Sequence, residues 1–293
     1  MSRFLPALVL ILPLLSATRA SALEVVASIR PLALIADAVM AGHGEARQLV
    51  PDGASSHEYA LRPSDRALLA RADLVVWVGP VHEHFLPGAL RNRPVLTAQK
   101  LPGLKRLPVR RLSDGASVAG SLDPHVWLSP DNAVVIARAL AVELGRRDKA
   151  GAAAYTANAE AFARRVQLQN ATLQQRFLPL RAQPLLAYHD AYHYLDDALG
   201  LRFRGSLTLE PEHKPGAQHV LAMARRVQKE KIACLLTEPG ADAALAMRIF
   251  GQQPYRMAGV DELFVGVPRG ASGYETGLAR MADEIYRCLA AGK

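Results

Sequence analysis

The chain has 293 residues, half of them hydrophobic, and a formal net charge of +8. Its basic residues are scattered, with no run of five or more, so the composition carries no nucleic-acid footprint. Beyond the first fifteen residues no apolar stretch is long enough to cross a bilayer.

The amino terminus reads as an export signal. Arg3 supplies the positive start, residues 4–15 the apolar run, and Ala20-Ser21-Ala22 a small-residue cleavage motif. With residues 1–22 goes the charge of Arg3 and Arg19, leaving +6 on the rest. No cysteine stands near the cleavage motif to take a lipid, so the expectation is a chain free in a periplasm, cleaved near Ala22.

From Leu23 short β-rich runs (24–28, 47–50, 74–78, 94–97) alternate with helical runs (31–40, 64–72, 131–144), the pattern of a doubly wound α/β sheet. Ser64, after Pro63, reads as the N-cap of the second helix. Residues 113–122, rich in Ser and Gly, read as a mobile loop. Residues 152–178 contain neither Gly nor Pro and repeat apolar side chains at Tyr155, Ala159, Phe162, Val166, Leu173 and Phe177, which predicts one long helix. A second series follows: strands at 185–188, 203–207, 232–237 and 255–260, with helices at 190–199, 217–227, 241–250 and 274–289. The expected architecture is a leader (1–22), an N-terminal α/β lobe (23–147), a rigid connecting helix (148–180) and a C-terminal α/β lobe (181–293). Small hinge motion is expected of it.

Three histidines lie at segment junctions: His57 in Ser56-His57-Glu58-Tyr59, His125 in Asp123-Pro124-His125, and His189 in Tyr188-His189-Asp190. Asp261, in Val260-Asp261-Glu262, is a fourth candidate. A lone histidine is more often a surface or structural residue. Three imidazoles and a carboxylate projected from the carboxyl ends of strands suit a borderline-soft cation in the cleft between lobes, zinc before manganese. Glu58 and Glu238 are possible supporting residues. His82 and His84 read as histidines of an exposed loop, with an auxiliary metal site as the alternative. Cys234 and Cys288, the only two cysteines, are expected to be bonded in an oxidising compartment. A rival enzymatic reading rests on His189-Asp-Ala-Tyr-His193, whose i, i+4 spacing is that of a zinc-hydrolase helix with Asp where Glu is usual.

The blocks from Pro51 to Asp65, Ala72 to Pro80, Asp123 to Pro130, Tyr188 to Tyr192 and Lys214 to Gln218 resemble, in order, the periplasmic zinc-binding components of ABC importers, within the cluster A-I solute-binding proteins. The resemblance implies two α/β lobes on a long helix, no catalysis, and Zn²⁺ held as cargo between the lobes. It also implies partnership with an inner-membrane permease and its ATPase, the protein itself being a monomer. His57, His125 and His189 match that family's imidazole ligands, Asp261 falls where relatives carry a carboxylate, and the two cysteines match a disulfide of the zinc-specific branch. Manganese or iron receptors of the same family are the alternative. This chain departs in two places: residues 112–122 lack the His-rich loop many zinc relatives carry, and Ser56 stands where some have Glu.

Overall fold

The computed structural model describes residues 23–208, 215–238, 241 and 243–290, so the leader and His213 lie outside the described residues. Two four-stranded parallel sheets carry the fold. The first has β1 (Val25–Ala27), β2 (Arg47–Gln48), β3 (Leu74–Trp77) and β4 (Val95–Thr97) in the order β2-β1-β3-β4. The second has β5 (Pro184–His189), β6 (Arg202–Thr208), β7 (Cys234–Thr237) and β8 (Arg256–Gly259) in the order β6-β5-β7-β8. The same arrangement in both sheets is the doubly wound design expected from the alternation.

Strand residues alternate between two cores, as buried parallel strands must. Leu185 and Ala187 face the core that runs through the middle of the molecule, while Leu186 and Tyr188 face Met223 and Phe250. Those last two belong to α6 (Ala217–Glu230) and α7 (Ala243–Phe250). In the first sheet Val25 and Ala27 face the central core, and Val26 faces Leu69 of α2 (Pro63–Arg71).

The central core is continuous across both halves. It joins Leu34 of α1 (Arg30–Met40), Leu140 of α3 (Pro130–Arg147), Phe162 of α4 (Ala152–Phe177), Leu195 of α5 (His193–Leu199) and Tyr274 of α8 (Gly273–Ala290). The long helix α4 buries the stripe from Tyr155 to Phe177 and spans about 40 Å at 1.5 Å per residue. Helix α8 returns to pack on α1. A Cβ at Gly273 would sit 2.5 Å from Leu34 Cδ2 and 2.9 Å from the Pro268 carbonyl oxygen, so only glycine permits this approach. Arg269 pairs with Asp37 of α1, and Trp127 Nε1 donates to the Glu262 carbonyl at 2.9 Å. With apolar and polar contacts both crossing between the lobes, wide opening would expose buried surface, which favours small relative motion.

Three local expectations change. Helix α2 starts at Pro63 rather than Ser64: Arg62 is the cap residue, and its N–H donates to the Asp65 carboxylate at 2.9 Å, with proline at the position whose missing N–H costs nothing. Helix α5 starts at His193, not Asp190, because the Asp190 carboxylate is held by Arg110 and the Tyr192 hydroxyl donates to the Val260 carbonyl at 2.8 Å. Residues 113–122 are tied down rather than free. Ser206 N–H donates to the Leu112 carbonyl, Arg110 bridges to Ser117, and the Arg110 guanidinium lies 3.5 Å from the Phe203 ring centre.

Cys234 of β7 is bonded to Cys288 of α8, closing a separation of 54 residues. Loop-closure entropy puts the contribution of such a bridge at about 4 kcal/mol before native strain is subtracted. The Cys234→Ser/Cys288→Ser double variant is expected to unfold at lower urea concentration than the oxidised protein, by up to that amount. Equal midpoints would show that α8 is held by packing alone.

Candidate metal centre

Each histidine of the set hangs from the carboxyl end of a strand or the loop beyond it, on the edge where the two sheets face one another. His57 follows β2, His189 is the last residue of β5, and His125 caps a short 3-10 turn at Val126–Leu128. One ring nitrogen from each of His57, His125 and His189 lies within 4.8 Å of the other two. Three loops separated by more than sixty residues at each step thus bring three imidazoles to one point.

The rings are oriented by carboxylates. His125 Nδ1 is 2.8 Å from Asp123 Oδ1, which also accepts the His125 backbone N–H at 2.9 Å. The Asp-x-His spacing lets one carboxylate fix both ring and backbone. Among the described residues His125 Nε2 is buried without a hydrogen-bond partner. His189 Nδ1 is 2.8 Å from Glu238 Oε1. In each case Nδ1–H toward the carboxylate fixes the tautomer and turns the Nε2 lone pair to the centre, the arrangement that metal-ligating histidines require. Glu238→Ala, freeing the His189 ring, is therefore expected to lower zinc affinity about 10- to 100-fold in a chelator competition assay. An unchanged affinity would mean that β5 alone orients the ring.

Burial keeps the His57 ring neutral. His57 is pushed down to about 2 by desolvation and by the neighbouring His125 and His189 rings, so its lone pair is available at neutral pH. Burial opposes ionisation of Asp123, yet the His125 ring outweighs it and holds the carboxyl below the usual range. Glu262, buried beside Glu238, is raised, first by desolvation and then by that like charge. Carboxylates set behind the imidazoles make an environment that favours a dication. An open cleft of about 330 Å³, bordered by the three histidines, Arg110 and Thr208, leads solvent to the rings.

Asp261 does not join the group. Its carboxylate accepts the backbone N–H of Leu263 at 2.9 Å and that of Val265, holding the turn after β8. Glu58 is exposed. His193, at the start of α5, has Nδ1 3.5 Å from Asp123 Oδ2. Since His189 ends a strand and His193 begins a helix, the two do not share a helical face, and the hydrolase motif dissolves. Nor is His82 on an exposed loop: it is fully buried, with its ring centre 4.4 Å from that of His57, and only His84 is exposed. The spacing of an H-x-H just after a buried strand was the one signal that pointed inward. Glu83 turns into the core to accept the backbone N–H groups of Val78 and Gly79, at 3.1 and 2.8 Å, and drags its neighbour inside.

Comparison with known proteins gives the family. Residues 25–288 match the family described as zinc-uptake complex component A, periplasmic. The chain is 30% identical over 289 residues to the high-affinity zinc uptake system protein ZnuA of Yersinia pestis, covering 90% of this chain and 91% of that one. It is 29% identical to the protein of the same name from Haemophilus ducreyi, covering 96% and 98%. In fold it is similar to a crystal structure of ZnuA, with a TM-score of 0.78 at 21% identity over 92% of this chain and all of that one. The manganese complex of FpvC from Pseudomonas aeruginosa is equally close in fold, at TM-score 0.78 and 21% identity over 93% of this chain and all of that one. Two parallel-sheet lobes, a cluster of buried imidazoles between them and a sequence match over nearly the whole described chain lead to one conclusion: this chain belongs to the periplasmic zinc-uptake component A family, solute-binding proteins that carry zinc as cargo and catalyse no reaction.

Proposed function

We propose that this protein captures Zn²⁺ in the periplasm with His57, His125 and His189 and delivers it, as a monomer, to an ABC permease driven by a separate ATPase. The observation that carries the reading is the convergence of three ring nitrogens within 4.8 Å, with buried His125 Nε2 lacking any other partner. An all-nitrogen core of this kind suits zinc and is soft for manganese. His57 and His125 come from the first half and His189 from the second, so a small separation of the lobes by the permease removes one ligand from two. Such a step suits release better than spontaneous opening against the continuous core. The Irving-Williams order means that copper and nickel bind such a site in vitro, so cargo identity is decided in the cell.

The test is growth and metal uptake of a strain lacking the gene, under restriction of zinc, manganese or iron in turn. Zinc-restricted growth should fail, and added zinc should restore it. Restoration by manganese alone would overturn the zinc assignment.

A further inference from the structure

The three histidines leave one vertex of a tetrahedral zinc site open. Three of the carboxylates nearby are already engaged: Asp123 and Glu238 with imidazole Nδ1 atoms, Asp261 with backbone N–H groups. His82 is different. It is 0% exposed, and neither Nδ1 nor Nε2 has a hydrogen-bond partner among the described residues. A neutral imidazole carries one donor and one acceptor. Burying both unpaired costs the full desolvation of each group, so a purely structural role would be better served by leucine. The ring packs against His57 at 4.4 Å, Trp127 at 5.0 Å and His125 at 5.7 Å between ring centres, so its surroundings are the metal centre itself.

We propose that His82 is a fourth nitrogen ligand, completing a four-imidazole site when the cation is bound. This rests on the three-histidine reading above. His82 stands outside the group whose nitrogens already lie together, so ligation requires its ring to turn about its side-chain torsions toward the cation. The lone pair, which has no hydrogen-bond partner among the described residues, is then satisfied by the metal. A closed set of four neutral nitrogens also discriminates further against manganese, which prefers oxygen donors. Glu262 Oε2, also buried without a hydrogen-bond partner among the described residues, is an oxygen competitor for the same vertex.

The experiment titrates zinc into wild-type protein labelled with ¹⁵N-histidine and follows the ring nitrogens, with the His82 signals assigned by their loss from the spectrum of His82→Leu. The expected result is that one nitrogen of His82 shifts together with one from each of His57, His125 and His189. Shifts of those three with His82 unmoved would overturn the proposal and leave the three-histidine site intact. Failure of His57, His125 and His189 to shift would instead sink the underlying reading, and the fourth ligand with it. A parallel measurement compares variants: His82→Leu should lose at least about 10-fold in zinc affinity and narrow the preference for zinc over manganese, whereas His84→Leu changes neither. A loss in Glu262→Gln with none in His82→Leu would assign the fourth vertex to the carboxylate and refute the imidazole.

Discussion

His125→Ala is expected to weaken zinc binding at least about 100-fold, exceeding the 10- to 100-fold that removal of an orienting partner typically costs. The same holds for His57→Ala and His189→Ala. The physical basis is direct loss of one of the three donors whose atoms converge within 4.8 Å. His125 is the most exacting case, because Asp123 fixes its ring from one side at 2.8 Å and its Nε2 has no other partner. His193→Ala is the matched control: it removes an imidazole four residues from His189 and 3.5 Å from Asp123, yet outside the cluster, and should alter affinity little. Asp261→Ala should cost local stability by freeing two backbone N–H groups, with a smaller effect on affinity than any of the three histidines. Calorimetric titration, or chelator competition where binding is too tight, separates these outcomes. An effect of His193→Ala as large as that of His189→Ala would restore the helix-borne motif and contradict the cluster.

The second large effect is on stability. Arg110 donates to both Asp190 and Asp196, and Arg110 and Asp196 are almost wholly buried. Burial opposes the charge on Arg110, but the two carboxylates outweigh it and raise its pKa. Asp196 is pushed up to about 6 by burial, with Arg110 pulling the other way. Removing the cation leaves two carboxylates in a dry site, so Arg110→Met is expected to destabilise the protein by about 3–5 kcal/mol. The sign of its pH dependence follows from linkage. Without Arg110 the folded-state pKa of Asp196 rises further above its unfolded value. A group with a raised folded pKa keeps its stability at low pH and loses it as pH rises through the folded value. The deficit of the variant should therefore be smaller at about pH 5 than at about pH 7.5, as urea midpoints would show. A constant deficit would mean that the loss is one of packing against Phe203 rather than of charge. Because Asp190 follows His189, the same triad fastens the segment around Arg110 beside the three histidines.

Periodicity in the sequence was enough to locate the strands and helices within a few residues, because each buries one face and its apolar pattern repeats with the backbone's own geometry. The long helix α4 was the clearest instance, since an uninterrupted apolar stripe with neither Gly nor Pro has few other ways to be buried. The three histidines were legible for a related reason: parallel strands deliver their carboxyl ends to one edge, so residues at those ends are brought together by topology. What sequence could not decide was where a side chain's competing partners lie. Nothing in the local pattern around Asp261 reveals that its carboxylate accepts two backbone N–H groups of the turn after β8 and lies outside the histidine group. His82 was read as exposed because its burial depends on Glu83 turning inward, and on the His57 and Trp127 rings arriving from 25 and 45 residues away. The fold follows from local hydrophobic pattern, which each segment carries in itself. The detailed ligand set follows from hydrogen-bond competition among groups distant in sequence, which exists only once the chain has folded.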